Sequence, residues 1–181
     1  MPYRLTKIYT RKGDKGHTHL AGKERPKDDA LVEAVGTIDE LNAHIGFVIS
    51  LSISNQDIKN KLTEIQHALF DIGGELHAPS YVKITAEKIT DLEMTIDHWN
   101  NQLPPLEEFI LPRGNSCVAA CHIARTVCRR AERTLVKLHR ETPLNNPELL
   151  RYINRLSDVL FVFARILAAK HHDEEILWKH E

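Results

Sequence analysis

The segment Cys117–Arg133, CVAACHIARTVCRRAER, constrains this chain most, because one helix must satisfy two demands at once. An apolar stripe of Cys117, Cys121, Ala124, Cys128, Ala131, Leu135 and Leu138 steps by alternating fours and threes, the seam of a helix packed lengthwise against others. A second stripe, Arg125, Arg129 and Arg133 with Glu132 beside them, steps by four and projects from one side. Like charges at that spacing repel and weaken an isolated helix. The penalty becomes tolerable where the guanidinium groups meet something strongly anionic, and planar, multidentate Arg suits phosphate. A solvated basic face is the other reading of this stripe taken alone.

The same seam recurs along the chain. Ala34, Ile38, Leu41, Ile45 and Val48 follow it, as do Ile58, Leu62, Ile65, Leu69, Ile72 and Leu76, then Ile89, Leu92, Ile96, Trp99 and Leu103. The last helix carries Leu149, Ile153, Leu156, Leu160, Phe163 and Leu167, with Arg151, Asn154, Asp158 and Arg165 as a polar stripe. Each segment spans roughly 18 to 25 residues, and the period favours near-parallel packing at small crossing angles. Asn55, Thr85 and Gly114-Asn115-Ser116 are start signals, Pro104-Pro105 is a stop, and Asn146-Pro147-Glu148 reads as an N-cap with Pro at the first helical position. The expected fold is all-α: one five-helix bundle with ferritin-like up-and-down packing. Residues 1–181 form a single domain, divided into an N-terminal arm (1–28), the bundle (29–170) and a short tail (171–181).

The arm, IYTRKGDKGHTHLAGKERPKDD, is locally basic. Arg11, Lys12, Lys15, Lys23, Arg25 and Lys27 stand against Asp14 and Glu24. Gly13, Gly16 and Gly22 let backbone amides approach a ligand, and Thr10 and Thr18 add hydroxyls. No Gly-Lys-Ser/Thr ends it and no helix follows directly, so it is not a Walker loop. Its apolar entry at Ile8-Tyr9 and the acidic helix start at Asp28-Asp29 make an ordered anion-binding loop a reasonable expectation.

Composition limits the alternatives. A net charge of −1 argues against general nucleic-acid binding. No apolar run of 18 or more residues exists to span a membrane, and no signal peptide or Arg/Ser-rich leader is visible. The three cysteines share one seam, the pattern of reduced core cysteines in a cytoplasmic protein. Glu64-Ile-Gln-His67 has the Glu-x-x-His spacing of di-iron bundles, but no second such pair occurs, so His67 reads as a surface or capping residue. His171-His172 is expected to be solvated. No metal ligands are assigned to protein side chains.

In order along the chain, YTRKGDKGHT, GKERPKDD, EAVGTIDELNAHIG, FILPRG, ARTVCRRAER and YINRLSDVLFVFAR resemble the PduO-type ATP:cob(I)alamin adenosyltransferases. The resemblance departs at Arg113, where the family has a small residue, and at the end, where an extended C-terminal cap is expected to be missing. It implies transfer of the 5′-deoxyadenosyl group of ATP to the cobalt of cob(I)alamin, giving adenosylcobalamin and triphosphate, with Mg²⁺ bridging phosphate oxygens and cobalamin as a substrate.

By the same resemblance the ATP-binding residues are Thr10, Arg11, Lys12, Gly13, Thr18, His19, Lys27, Arg129, Arg130, Glu132, Arg133 and Asn154, with Arg129 the catalytic residue. Phe109, Asp39 and Arg125 belong to the cobalamin side: Phe109 against the lower face of the corrin, and Asp39 with Arg125 as a bracing ion pair. A homotrimer with sites between subunits is implied, with a reductase or an acceptor mutase as further partners. The rival from another class is a nucleotide-binding helical bundle acting as a sensor or interaction module without turnover. It accounts for the arm and the Arg stripe, but not for Phe109 or for Asp39 opposite Arg125.

Overall fold

The computed structural model describes residues 9–51, 55–78 and 80–180. Ile8 of the apolar entry, the rest of the arm before it, and Glu181 at the end of the tail lie outside the described residues.

Five helices form where the seams predict them. Helix α1 (Ala30–Ser50) begins at Asp29, whose carboxylate accepts from Leu31 N. Asn55 caps α2 (Gln56–His77), and Asn115 caps α4 (Ser116–Glu141) by accepting from the Cys117 and Val118 amides. In each case a side-chain oxygen satisfies donors that the helix itself leaves orphaned. Thr85 precedes α3 (Ala86–Asn100) without a side-chain cap bond. At α5 (Glu148–Lys170) Pro147 already has helical dihedrals, and Asn146 Oδ1 accepts from Glu148 N at 3.1 Å, so the expected cap is made one residue ahead of the helix.

Helix α3 is shorter than its seam suggests, at 15 residues. Gln102 N and Leu103 N bond back to the Trp99 and Asn100 carbonyls, tightening the end to three-residue turns, and Pro104-Pro105 then supplies no donors. Leu103 packs against the core from beyond the helix.

Side-chain bonds fix the helix directions. Cys121 Sγ donates to Leu160 O at 3.2 Å and Cys128 Sγ to Ile153 O at 3.3 Å, so α4 and α5 run antiparallel. The thiols serve as small seam residues with a donor, letting α5 approach, and burial pushes both well above the usual thiol range. Glu93–Arg155 and the Trp99–Phe163 ring contact set α3 parallel to α5. Asn42 and Gln66 exchange side-chain-to-carbonyl bonds between α1 and α2. The seam residues of all five helices make one core, in which Cys121, Ala124, Cys128, Ala131 and Leu135 are fully buried.

Two segments differ from expectation. The arm is not only loop: β1 (His17–Leu20) and β2 (Lys23–Pro26) pair antiparallel, with Leu20 opposite Lys23. The two linking residues, Ala21 and Gly22, both have positive φ, the requirement of a two-residue hairpin turn that matches strand twist. Ala21 N donates to His77 Nδ1, and Arg25 pairs with Asp29 at 3.0 Å, docking the hairpin on the bundle.

The tail is not a loose solvated end. His171 and His172 are exposed as expected, but beyond them the chain turns back onto the segment before α4, where Ile110 forms a bridge with Leu177. Arg165 is the cause. It is not part of an exposed polar stripe but 3% exposed, and its guanidinium needs partners: Glu175 from the tail at 2.8 Å and Pro104 O at 3.0 Å.

Candidate functional site

The Arg stripe divides by partner. Arg130 is used in the fold, pairing with Glu40 of α1. Arg129 and Arg133 are exposed and make no ion pair among the described residues. Arg125, one turn before Arg129, is half-buried, with its Nε unpartnered; burial, and then the Arg129 charge, lower its pKa from the usual value. A cation held in that state is poised to take up an anion.

The expected Asp39–Arg125 ion pair is not formed within the chain. Asp39 is exposed and forms no ion pair with Arg125, and among the described residues α1 and α4 are joined by the Glu40–Arg130 pair. One residue along a helix turns the side chain by about 100°, which carries Glu40 toward α4 and leaves Asp39 on the open side.

On the next turn of α4, Glu132 accepts from Asn154 Nδ2 at 2.9 Å. Asn154 Oδ1 in turn accepts from Arg155, itself bound to Glu93. This chain of bonds across α3, α5 and α4 fixes the orientation of the Glu132 and Asn154 side chains.

Phe109 stands out from the connection between α3 and α4, with 75% of the residue exposed. An open cavity of about 660 Å³ beside it is lined by Glu108, Phe109, Ile110, Arg125, Arg129 and Phe161, among others. Phe109 and Arg125, assigned to the flat substrate, therefore share one cavity with Arg129 of the phosphate stripe, whereas Asp39 does not line it. It joins an apolar wall to the Arg125 and Arg129 guanidinium groups, with Glu107 and Glu108 also in its lining, so it can take a large, partly apolar ligand beside an anionic group on the α4 side.

Phe161 was missed from sequence. In LFVFAR it lies off the Leu160–Phe163 seam, the one signal that would have found it. Glu108 was also missed. It accepts from Phe109 N and is paired with His180, and these two contacts lower its pKa.

The arm places its residues around one turn. Arg11 takes a left-handed backbone, φ 61°, with its guanidinium over the Tyr9 ring. Gly16 N bonds to Gly13 O, and Lys27 N to Gly16 O at 2.8 Å, so the residues flanking the two ends of the hairpin meet. Lys27 folds over Gly13, so that a Cβ there would lie 3.1 Å from Nζ and the lysine end would have to shift slightly. Lys12 and His19 are exposed, and Thr18 is half-buried in β1, opposite Arg25. Thr10 is exposed at the start of the described arm.

The cavity holding Arg125 and Arg129 contains no arm residue. The structure thus gathers Phe109, Arg125 and Arg129, pairs Glu132 with Asn154, and joins Gly13 to Lys27. It does not put these groups into a single cavity of one chain. A second cavity of about 280 Å³, between the hairpin tip and the α4–α5 connection, holds none of the expected site residues. Among the described residues no three His, Cys, Asp or Glu side chains converge as a metal site, and no helix is long and apolar enough to cross a membrane.

Comparison with known proteins identifies the family. The family model described as cobalamin adenosyltransferase matches residues 8–167. A cobalamin adenosyltransferase of Cupriavidus metallidurans is 45% identical, covering 100% of this chain and 98% of the relative. A corrinoid adenosyltransferase of Bacillus subtilis is 44% identical over 91% of this chain and 88% of the relative. Among solved structures, a variant PduO-type ATP:corrinoid adenosyltransferase from Lactobacillus reuteri, complexed with cobalamin and ATP, superposes with a TM-score of 0.89. It is 39% identical, covering 96% of this chain and 100% of that one. The family match, the relatives and the fold agree: the chain belongs to the cobalamin adenosyltransferase family.

Proposed function

We infer that this protein transfers the 5′-deoxyadenosyl group of ATP to the cobalt of cob(I)alamin, releasing triphosphate. The observation that carries this reading is the cavity shared by Phe109, Arg125 and Arg129, in which an exposed ring faces guanidinium groups on α4. Relatives named for this activity, and a similar structure holding both cobalamin and ATP, support it.

The Co(I) lone pair attacks C5′, the C5′–O bond breaks, and its electrons leave with the triphosphate. No proton moves, so no general base is needed. The protein aligns nucleophile and carbon and neutralises charge growing on the leaving group. Arg129 and Arg133, which make no ion pair among the described residues, take that role, with Lys12 and Lys27 of the arm as further phosphate contacts; Mg²⁺ bound with the nucleotide would supply further positive charge at the phosphates. Arg130, already paired to Glu40, contributes by orienting the stripe. Thr10, Arg11, Gly13, Thr18 and His19 hold the nucleotide from the arm, and the Glu132–Asn154 pair completes its pocket. Phe109 meets the lower face of the corrin and displaces the lower ligand. That leaves four-coordinate Co(II), which is easier to reduce.

Three subunits assemble with the sites between them, so that the arm of one chain faces the Arg stripe of the next. The unmade Asp39–Arg125 pair supports this: each group is left open in one chain, and a neighbouring subunit supplies the other. The free, buried cysteines support a cytoplasmic location, where a reductase delivers the electron and a mutase accepts the product.

The test is Arg129→Ala. Turnover should fall at least about a hundredfold, as when a charge-stabilising donor is removed, with melting unchanged because the side chain is exposed. Lys12→Ala and Lys27→Ala should instead raise the ATP KM with little change in kcat. Near-normal turnover in Arg129→Ala would refute the assignment.

A further inference from the structure

Packing constrains Phe109 little, because three quarters of it is exposed; its backbone and the neighbouring Trp178 ring are what place it. That backbone is held on both sides. Its amide donates to Glu108 Oε1 at 2.7 Å, and its carbonyl accepts from Trp178 N at 2.7 Å. The other oxygen of Glu108 accepts from His180 Nε2 at 3.0 Å. The Trp178 ring lies 6.4 Å from that of Phe109 and 4.1 Å from that of His180.

The rest of the connection is pinned by the same segment. Leu111 N donates to Ile176 O at 2.8 Å, Asn115 N to Asp173 Oδ2 at 2.8 Å, and the buried Arg165 ties Glu175 to Pro104 O. These contacts come from residues 173–180, all beyond the 8–167 span of the family match.

We propose that residues 177–180 are a positioning strap, in which the Trp178 backbone and the Glu108–His180 pair aim Phe109 into the cavity. The strap removes backbone freedom before the corrin arrives, so the ring meets it in the productive orientation without paying for ordering at that step. Trp178 and His180 act through Phe109 and are positioning residues. The inference rests on the reading that Phe109 meets the lower face of the corrin.

The test uses a chain ending at Ile176, which keeps the Glu175–Arg165 pair and the Ile176 carbonyl. With cob(II)alamin and ATP added, the four-coordinate Co(II) fraction should fall about tenfold, the effect of losing two hydrogen bonds that hold one conformer. ATP affinity should stay unchanged. Adding Phe109→Ala to the truncation should remove the remaining signal and leave no more than Phe109→Ala alone does. In the full chain Glu108→Ala should lower the signal in the same direction. His180→Ala should do so as well, and His180→Gln, whose amide can still donate, should restore it.

An unchanged signal in the truncated chain, with Phe109→Ala losing it, would overturn the strap and leave the role of Phe109 standing. A normal signal in Phe109→Ala itself would overturn both. A parallel loss of ATP affinity and melting temperature in the truncated chain and both point variants would show that the segment merely holds the fold, and would also overturn the strap.

Discussion

Arg125 offers a perturbation whose sign depends on assembly. In one chain it is a half-buried guanidinium with an unpartnered Nε and a like charge, Arg129, one turn away. If that were its final state, Arg125→Ala would remove an uncompensated cation and leave stability unchanged or raised. If Asp39 of a neighbouring subunit meets it, the same change leaves a carboxylate unpaired in an interface. Fully buried pairs broken in this way cost about 3–5 kcal/mol and exposed ones about 0–1 kcal/mol. Arg125 lies between these limits, so about 2 kcal/mol per interface is expected, roughly thirtyfold in an association constant. The assay is a double-mutant cycle on trimer dissociation by sedimentation equilibrium, with turnover measured in parallel. Asp39→Asn and Arg125→Ala should each weaken assembly, and the double variant should lose much less than their sum. Strictly additive losses, or an Arg125→Ala chain that is more stable and assembles normally, would refute the pairing.

Two further outcomes concern the frame of the site. His122 is 4% exposed with Nδ1 unpartnered, and burial, then Arg125, push its pKa from 6.5 down to about 4, with Glu175 opposing. The unfolded chain therefore binds the proton more readily, and stability present above pH 6.5 is lost as pH falls, by about 2 kcal/mol at pH 5. Urea unfolding across that range should show this contribution in the wild type and not in His122→Phe; equal slopes would contradict it. Gly114 has φ 151°, and a Cβ there would lie 2.7 Å from Val118 Cγ1, so Gly114→Ala should cost about 1–3 kcal/mol. An unchanged thermal melting curve would show that the loop before α4 relaxes freely.

The bundle was legible because its information is local and periodic: each seam names the buried face of its own helix, and asparagines mark three starts. What escaped depends on partners distant in sequence. Arg165 reads as one more polar residue until Glu175 and the Pro104 carbonyl are known, and with it the docked tail is invisible. Asp39 and Glu40 are adjacent acids near several arginines, and only helix packing decides that Glu40 takes Arg130. The hairpin was hidden because Ala21, unlike Gly22, does not advertise a positive φ. In the site, the Arg stripe and the arm were each recognisable as cationic, whereas the cavity uniting Phe109 with Arg125 required the course of the segment from Pro104 to Asn115.

The central claim is chemical turnover, and one spectroscopic measurement addresses it most directly. The protein is mixed with ATP, Mg²⁺ and chemically reduced cobalamin, and the absorption spectrum is followed while triphosphate is quantified. The account predicts the alkylcobalamin spectrum, with one triphosphate released per cobalt alkylated. A spectrum no different from the control without protein, despite measurable ATP binding, would contradict it and leave a bundle that binds nucleotide without turning it over.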